Sequence, residues 1–155
     1  MKTLIATAAV SACVLASGAV LLAQRPNNFV TPGAKTKAKD ADVCAADFSG
    51  SAKAIAGWQR AEALKRYGRD ASSYSGELDH LIPVSLGGSN DPDNLWPMPD
   101  NKEYGIAAKR ELEDKLHQMV CAKEITLKEA QDSLKKDWTK SYDRYIKGAL
   151  NAGSK

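Results

Sequence analysis

Internal repeats, Cys-x-x-Cys pairs and a strong bias of charge are all missing from this chain. Without a repeat there is no signature of a solenoid or propeller. Without a Cys-x-x-Cys pair, the paired-cysteine zinc knuckle is excluded as a staple. Lysine and arginine number 22 against 19 aspartate and glutamate, a formal excess of +3. Proteins that coat DNA carry a stronger basic bias, so the charge permits a nucleic-acid partner without demanding one. Long apolar runs are confined to the N-terminus. What is present, 155 residues of which 43% are apolar and 26% charged, has the make-up and the room for one ordinary soluble domain.

The N-terminus reads as a targeting segment. Met1-Lys2 supplies a positive start, and Thr3 to Ala23 is free of charge and rich in Ala, Val and Leu before the polar Gln24-Arg25-Pro26. Residues 1–23 are therefore expected to be a secretory signal peptide, cut after Ala19 or Ala23. Two other readings stay open. Residues 3–23 are long enough to serve as an uncleaved membrane anchor, and Val10-Ser11-Ala12-Cys13 resembles a lipobox, although the residues after Cys13 remain apolar. In each case the domain is exported, periplasmic or secreted, or held at the inner membrane.

Cysteine usage agrees with export. Removal of the leader takes Cys13 with it and leaves Cys44 and Cys121. Two cysteines in an oxidising compartment are expected to form one disulfide, closing a loop of roughly 75 residues worth about 4 kcal/mol in the chain-entropy model. The alternative is two unrelated buried thiols.

Residues 24–42 hold two prolines, a glycine and the spaced Lys35, Lys37 and Lys39 with no apolar periodicity, which predicts a flexible linker. A helix is expected from about Ser51 to Tyr67, with Ala54, Ile55, Trp58, Ala61 and Leu64 on its buried stripe and Gly68 as its stop. After a polar loop, Glu77–Val84 reads as a short strand, Gly87-Gly88-Ser89-Asn90 as a turn and Asn94-Leu95-Trp96 as the returning strand. A second helix spans about Glu103 to Val120, with Ala108, Leu112, Leu116 and Met119 in line. A third begins at Thr126, where Thr-Leu-Lys-Glu makes a capping box with Glu129 and Leu127, Ala130, Leu134, Trp138 and Tyr145 continue a buried face to about Ala149. Helix, hairpin, helix, helix is an α+β pattern, and residues 151–155 form a tail.

The hairpin carries the chemistry. Residues 77 to 97 read Glu-Leu-Asp-His-Leu-Ile-Pro-Val-Ser-Leu-Gly-Gly-Ser-Asn-Asp-Pro-Asp-Asn-Leu-Trp-Pro. A carboxylate such as Asp79 suits a hard cation, and an imidazole such as His80 can take a proton from water. Phosphodiester cleavage needs both, a proton acceptor and a cation beside the scissile phosphate. Gly87-Gly88 permits a tight loop, and the Asn94 amide is placed to pin it so that a backbone carbonyl orients the His80 ring. Plainer readings exist. His80 could be a turn-facing histidine bonded to the glycine loop, and His117 has no motif around it and reads as a helix residue at the surface or core edge. Trp96 and Trp138 could stack on bases but fit core positions at strand and helix spacing. Lys109 could contact a phosphate or be a solvated helix lysine, and Lys135, Lys136 and Lys140 read as an exposed face.

The whole segment resembles the front half of an HNH endonuclease site, the ββα-metal fold. The resemblance extends through Asp79-His80-Leu-Ile-Pro, Leu86-Gly-Gly-Ser-Asn-Asp-Pro, Asn94-Leu-Trp-Pro, Lys109 with Leu112-Glu113, Val120-Cys121 and Ala130-Gln131 to Asp137-Trp138. Thr31-Pro32-Gly33, Cys44 and Tyr67-Gly68 fit as well, so that it covers Thr31 to Ile146 and is similar to a group of small exported bacterial proteins. It implies an HNH-like domain over residues 43–150 with flanking helices around a hairpin-plus-helix core. It also implies a nuclease acting on DNA or RNA, with Asp79 as metal ligand, His80 as general base, Asn94 as the structural asparagine and Lys109 among the catalytic residues; the chain is expected to be a monomer. The chain departs from the pattern at the third ligand. Ala107 stands where a histidine is expected, whereas a nine-residue step from Asn94 reaches Glu103, and Glu111 lies one turn beyond Ala107. The expectation is Asp79 with Glu103 around Mg²⁺ or Mn²⁺. A degenerate member that only binds nucleic acid or an envelope partner is the alternative, favoured by Ala107.

Overall fold

A computed structural model describes residues 25–48, 54–99 and 103–148. The expected leader (1–23) and tail (151–155) lie outside the described residues. Helices surround one small antiparallel sheet, an α+β arrangement: α1 (Asp40–Val43), α2 (Gly57–Arg66), β1 (Leu78–His80), β2 (Leu95–Pro97), α3 (Ile106–Cys121) and α4 (Leu127–Tyr142), the last continued by a π-helical turn over Asp143–Lys147. Among the described residues no helix is long and apolar enough to cross a membrane.

The sheet is two strands with register Leu78↔Pro97, Asp79↔Trp96 and His80↔Leu95. Facing residues share a side of the sheet, so the pairing sorts the side chains into two layers. Leu78 and Leu95 pack with Ala63 and Leu64 of α2. Trp96 points the other way, into the main core of Leu112, Leu116 and Val120 from α3 and Leu127, Ala130, Leu134 and Trp138 from α4. With apolar residues wanted on both faces, the short strands carry no clean alternation of burial.

α2 is shorter than its periodicity suggests. Ala54–Ala56 are not helical, the Gln59 side chain accepts from the Ala56 N–H at 2.8 Å, and the helix starts after that cap; Ser51–Lys53 lie outside the described residues. The buried face is set by Ala63 and Leu64, which leaves Trp58, expected on the inner stripe, 67% exposed. α3 buries Ala108, Leu112 and Leu116 as expected, adds Lys109 and Val120, and leaves Met119 half-buried.

The capping box at Thr126 forms: its hydroxyl accepts from the Glu129 N–H at 3.2 Å, and the Glu129 carboxylate accepts from the Thr126 N–H at 2.8 Å. α4 is broken at Asp137, whose backbone (φ −168°, ψ 92°) is extended. The Asp137 carboxylate accepts from the Thr139 hydroxyl at 2.7 Å and the Lys140 N–H at 3.3 Å, so it caps a restarted helix from within.

Residues 25–42 are not the free tether that their composition predicts. The Thr31 hydroxyl, fully buried, donates to the Leu95 carbonyl at 3.1 Å. The Gly33 N–H donates to Asp93 O and the Thr36 N–H to Gly87 O, both at 2.8 Å, and Lys35 bridges to Gly88. This strap is held by backbone pairing to the hairpin loop, which leaves no mark in side-chain periodicity. Cys44 and Cys121 are joined by a disulfide 77 residues apart in sequence, tying the end of α1 to the end of α3. His117 sits beside it and donates from Nε2 to the Val43 carbonyl at 2.9 Å.

Candidate functional site

The loop between the strands is built around glycine and asparagine. Gly87 has φ +77°, and a Cβ on Gly88 would lie 1.8 Å from the Ile82 carbonyl oxygen, so only glycine fits there. Asn94, fully buried, closes the loop with three bonds at 2.9 Å. Its Oδ1 accepts from Ile82 N–H, and its Nδ2 donates to the carbonyls of Ile82 and Ser89. The amide thus pins the loop as its position in the sequence suggested.

His80 ends β1, and its Nε2 lies 2.8 Å from Asn90 Oδ1. With a carbonyl oxygen as partner, Nε2 carries the proton and Nδ1 presents the lone pair. The orienting group is therefore the Asn90 side chain, not the backbone carbonyl expected from the sequence, although the same pinned loop supplies it.

Asp79 faces the opposite layer. Its Oδ2 accepts from Trp96 Nε1 at 3.3 Å and pairs with Lys109 Nζ at 2.8 Å, while its Oδ1 accepts no hydrogen bond among the described residues. Lys109 is not a solvated lysine. It is 1% exposed, and its ammonium is shared by Asp79, by the Glu113 carboxylate one helical turn on, and by the His80 carbonyl at 2.6 Å. Three acceptors match three N–H donors, leaving none for a ligand. Burial disfavours the ammonium, but the two carboxylates outweigh it and hold Lys109 above its usual range.

Glu113 is the group that sequence reasoning passed over. It was visible only as part of a Lys-x-x-Leu-Glu run, and the i,i+4 spacing that lets it reach Lys109 is the signal that could have found it. Two carboxylates share one ammonium, so the cluster has an excess negative charge. Burial, reinforced by Asp79 and opposed by Lys109, pushes the Glu113 carboxyl up to about 7.

The remaining expected residues lie elsewhere in the network of contacts. Glu103 precedes α3 rather than starting it, its side chain is 67% exposed, and its ion pair is with Lys147 at 3.0 Å. Glu111 accepts from the Tyr142 hydroxyl at 2.9 Å, and Ala107 is exposed. The α3 side chain that the structure brings to Asp79 is Lys109. Trp96 and Trp138 are core residues. Among the described residues, no group of three or more His, Cys, Asp or Glu is placed to hold a metal ion. No family model matches the chain, and no curated protein or solved structure matches it.

Proposed function

We propose that this chain is an exported phosphodiester hydrolase of the HNH type, acting on DNA or RNA as a monomer, with β1, β2 and α3 as its ββα unit. The observation that carries the reading is the pinned hairpin. Asn94 fixes the loop, the loop presents Asn90, and Asn90 holds the His80 ring with Nδ1 free to accept a proton. A water beside Nδ1 gives its proton to His80 while its oxygen bonds to the phosphorus; the P–O bond to the leaving sugar oxygen breaks, and that oxygen takes a proton from solvent. Lys109, bonded to the His80 carbonyl and to Asp79 Oδ2, ties the two residues together and leaves Oδ1 without a hydrogen-bond donor among the described residues.

Asp79 Oδ1 fits a hard, largely hydrated cation, since Mg²⁺ is commonly bound by one or two carboxylates and the substrate phosphate, with waters completing its shell. Such an ion supplies positive charge where the phosphate gains negative charge. Glu103 would join that shell only on giving up its ion pair with Lys147. The disulfide supports the exported, periplasmic or secreted setting; anchoring by residues 3–23 concerns a segment outside the described residues.

A second reading, a fold that binds nucleic acid or an envelope partner without cutting, is favoured by one observation: the side chain that α3 brings to Asp79 is a cation, Lys109, where a further metal ligand is needed. Incubating the purified protein with plasmid and with RNA separates the two. The nuclease reading predicts cleavage with Mg²⁺ or Mn²⁺ and none in EDTA. Intact substrate under both conditions leaves the binding reading.

A further inference from the structure

Between the N-terminal strap, the end of α2 and the middle of α4 lies a cleft of about 630 Å³. Four cations line it, Arg25, Arg69, Lys135 and Lys136, against one carboxylate, Asp137. Arg25 and Asp137 pair with each other. Arg69, Lys135 and Lys136 make no salt bridge among the described residues, although Lys135 and Lys136 lie close enough to Asp132 to act on its carboxylate; beyond the Arg25–Asp137 pair, the lining therefore carries three cations and no further carboxylate.

The cleft also displays an aromatic ring. Phe29 is 100% exposed. It does not sit on a loose end, because the turn that carries it is bonded on both sides. The Phe29 N–H donates to Asn27 Oδ1 at 3.0 Å, the Val30 and Thr31 N–H groups donate to Asn27 O, and the Asn27 N–H donates to the Tyr67 hydroxyl at 3.1 Å. The hydrogen-bonded turn thus holds a phenyl ring in water beside these cations, with its face open to a planar partner.

We propose that this cleft binds a single-stranded nucleic acid, with phosphates on Arg69, Lys135 and Lys136 and one base stacked on Phe29. A flexible single strand offers both backbone charge and an open base face, whereas a duplex keeps its bases stacked within and an acidic peptide lacks the planar group. Trp96, buried, also borders the cleft, and its Nε1 donates to Asp79, so this one side chain separates the cleft from the proposed site. The inference rests on the nuclease reading for what the bound strand is for, but on the cleft alone for the binding.

The test is fluorescence anisotropy of labelled single-stranded DNA and RNA in EDTA, with the full chain and, in parallel, its His80→Ala variant, so that binding is read without cleavage. Expected are binding by both proteins and a salt slope near −2, from about 0.7 per phosphate contact on single strands. Phe29→Ala is expected to weaken binding about tenfold through lost stacking, and Arg69→Glu and Lys135→Glu/Lys136→Glu to weaken it and flatten the slope. Wild-type affinity in Phe29→Ala and Arg69→Glu, with the fold intact by circular dichroism, overturns the proposal, as does equal competition by polyglutamate. Binding without cleavage in Mg²⁺ sinks the nuclease reading and leaves this one standing; cleavage with no such binding does the reverse.

Discussion

Lys109 is buried beside the carboxylate for which the sequence predicts a metal ion, and the positive charge that meets Asp79 Oδ2 is its own ammonium. Its three donors end on Asp79, Glu113 and the His80 carbonyl, so it holds these groups together. The cost falls on Glu113. Its carboxyl is raised from an ordinary 4.5 to about 7 in the folded protein, so between those values the folded state holds a proton that the unfolded chain has lost. Stability is therefore predicted to fall as pH rises from about 4.5 to about 7, by at most on the order of 3 kcal/mol, and to level off above. Urea unfolding at pH 5 and pH 8 measures it: the wild-type protein should lose more stability across that interval than Glu113→Gln. Equal losses would mean that Glu113 is ionised throughout.

At the level of elements, the hairpin is fixed by its loop more than by its three-residue strands. Gly88→Ala puts a methyl group against the Ile82 carbonyl and within 2.9 Å of Asn94 Nδ2. A loss of about 3 kcal/mol is expected in urea unfolding, since the backbone has to move. Gly57→Ala, with nothing within 4 Å of the new Cβ, should be neutral or gain up to about 1 kcal/mol. Similar losses in both would remove the steric account of the loop. These same features mark how far the sequence could be read. The Gly-Gly turn, the Asn94 pin and the Thr126 capping box are local signals, and each is found where it was expected. The break at Asp137 was not legible, because an aspartate inside an amphipathic run looks like a surface residue until its carboxylate is seen capping Lys140. Trp58 misled for a related reason: spacing marks a stripe, but packing on Leu78 and Leu95 selects which stripe turns inward. At the site, the Asp-His pair was visible, whereas the partners of Lys109 depend on how α3 lies against β1, a tertiary fact.

Across the whole molecule, the strap and the disulfide do what the two short strands cannot. Residues 31–36 close over the hairpin loop, and the Cys44–Cys121 bridge anchors the chain just after them to α3. Reduction, or Cys44→Ser with Cys121→Ser, is expected to lower stability by about 2–5 kcal/mol; thermal unfolding with and without reductant reads this directly, and an unchanged midpoint would make the bridge incidental. The account as a whole turns on whether His80, held by Asn90 on the pinned loop, takes a proton from water. Cleavage of plasmid and RNA in Mg²⁺ or Mn²⁺ by wild-type protein and by His80→Ala of matched circular dichroism decides it. The account predicts that the substitution lowers the rate by about 10²–10⁴ with the fold unchanged. Cleavage by His80→Ala at the full wild-type rate would contradict it.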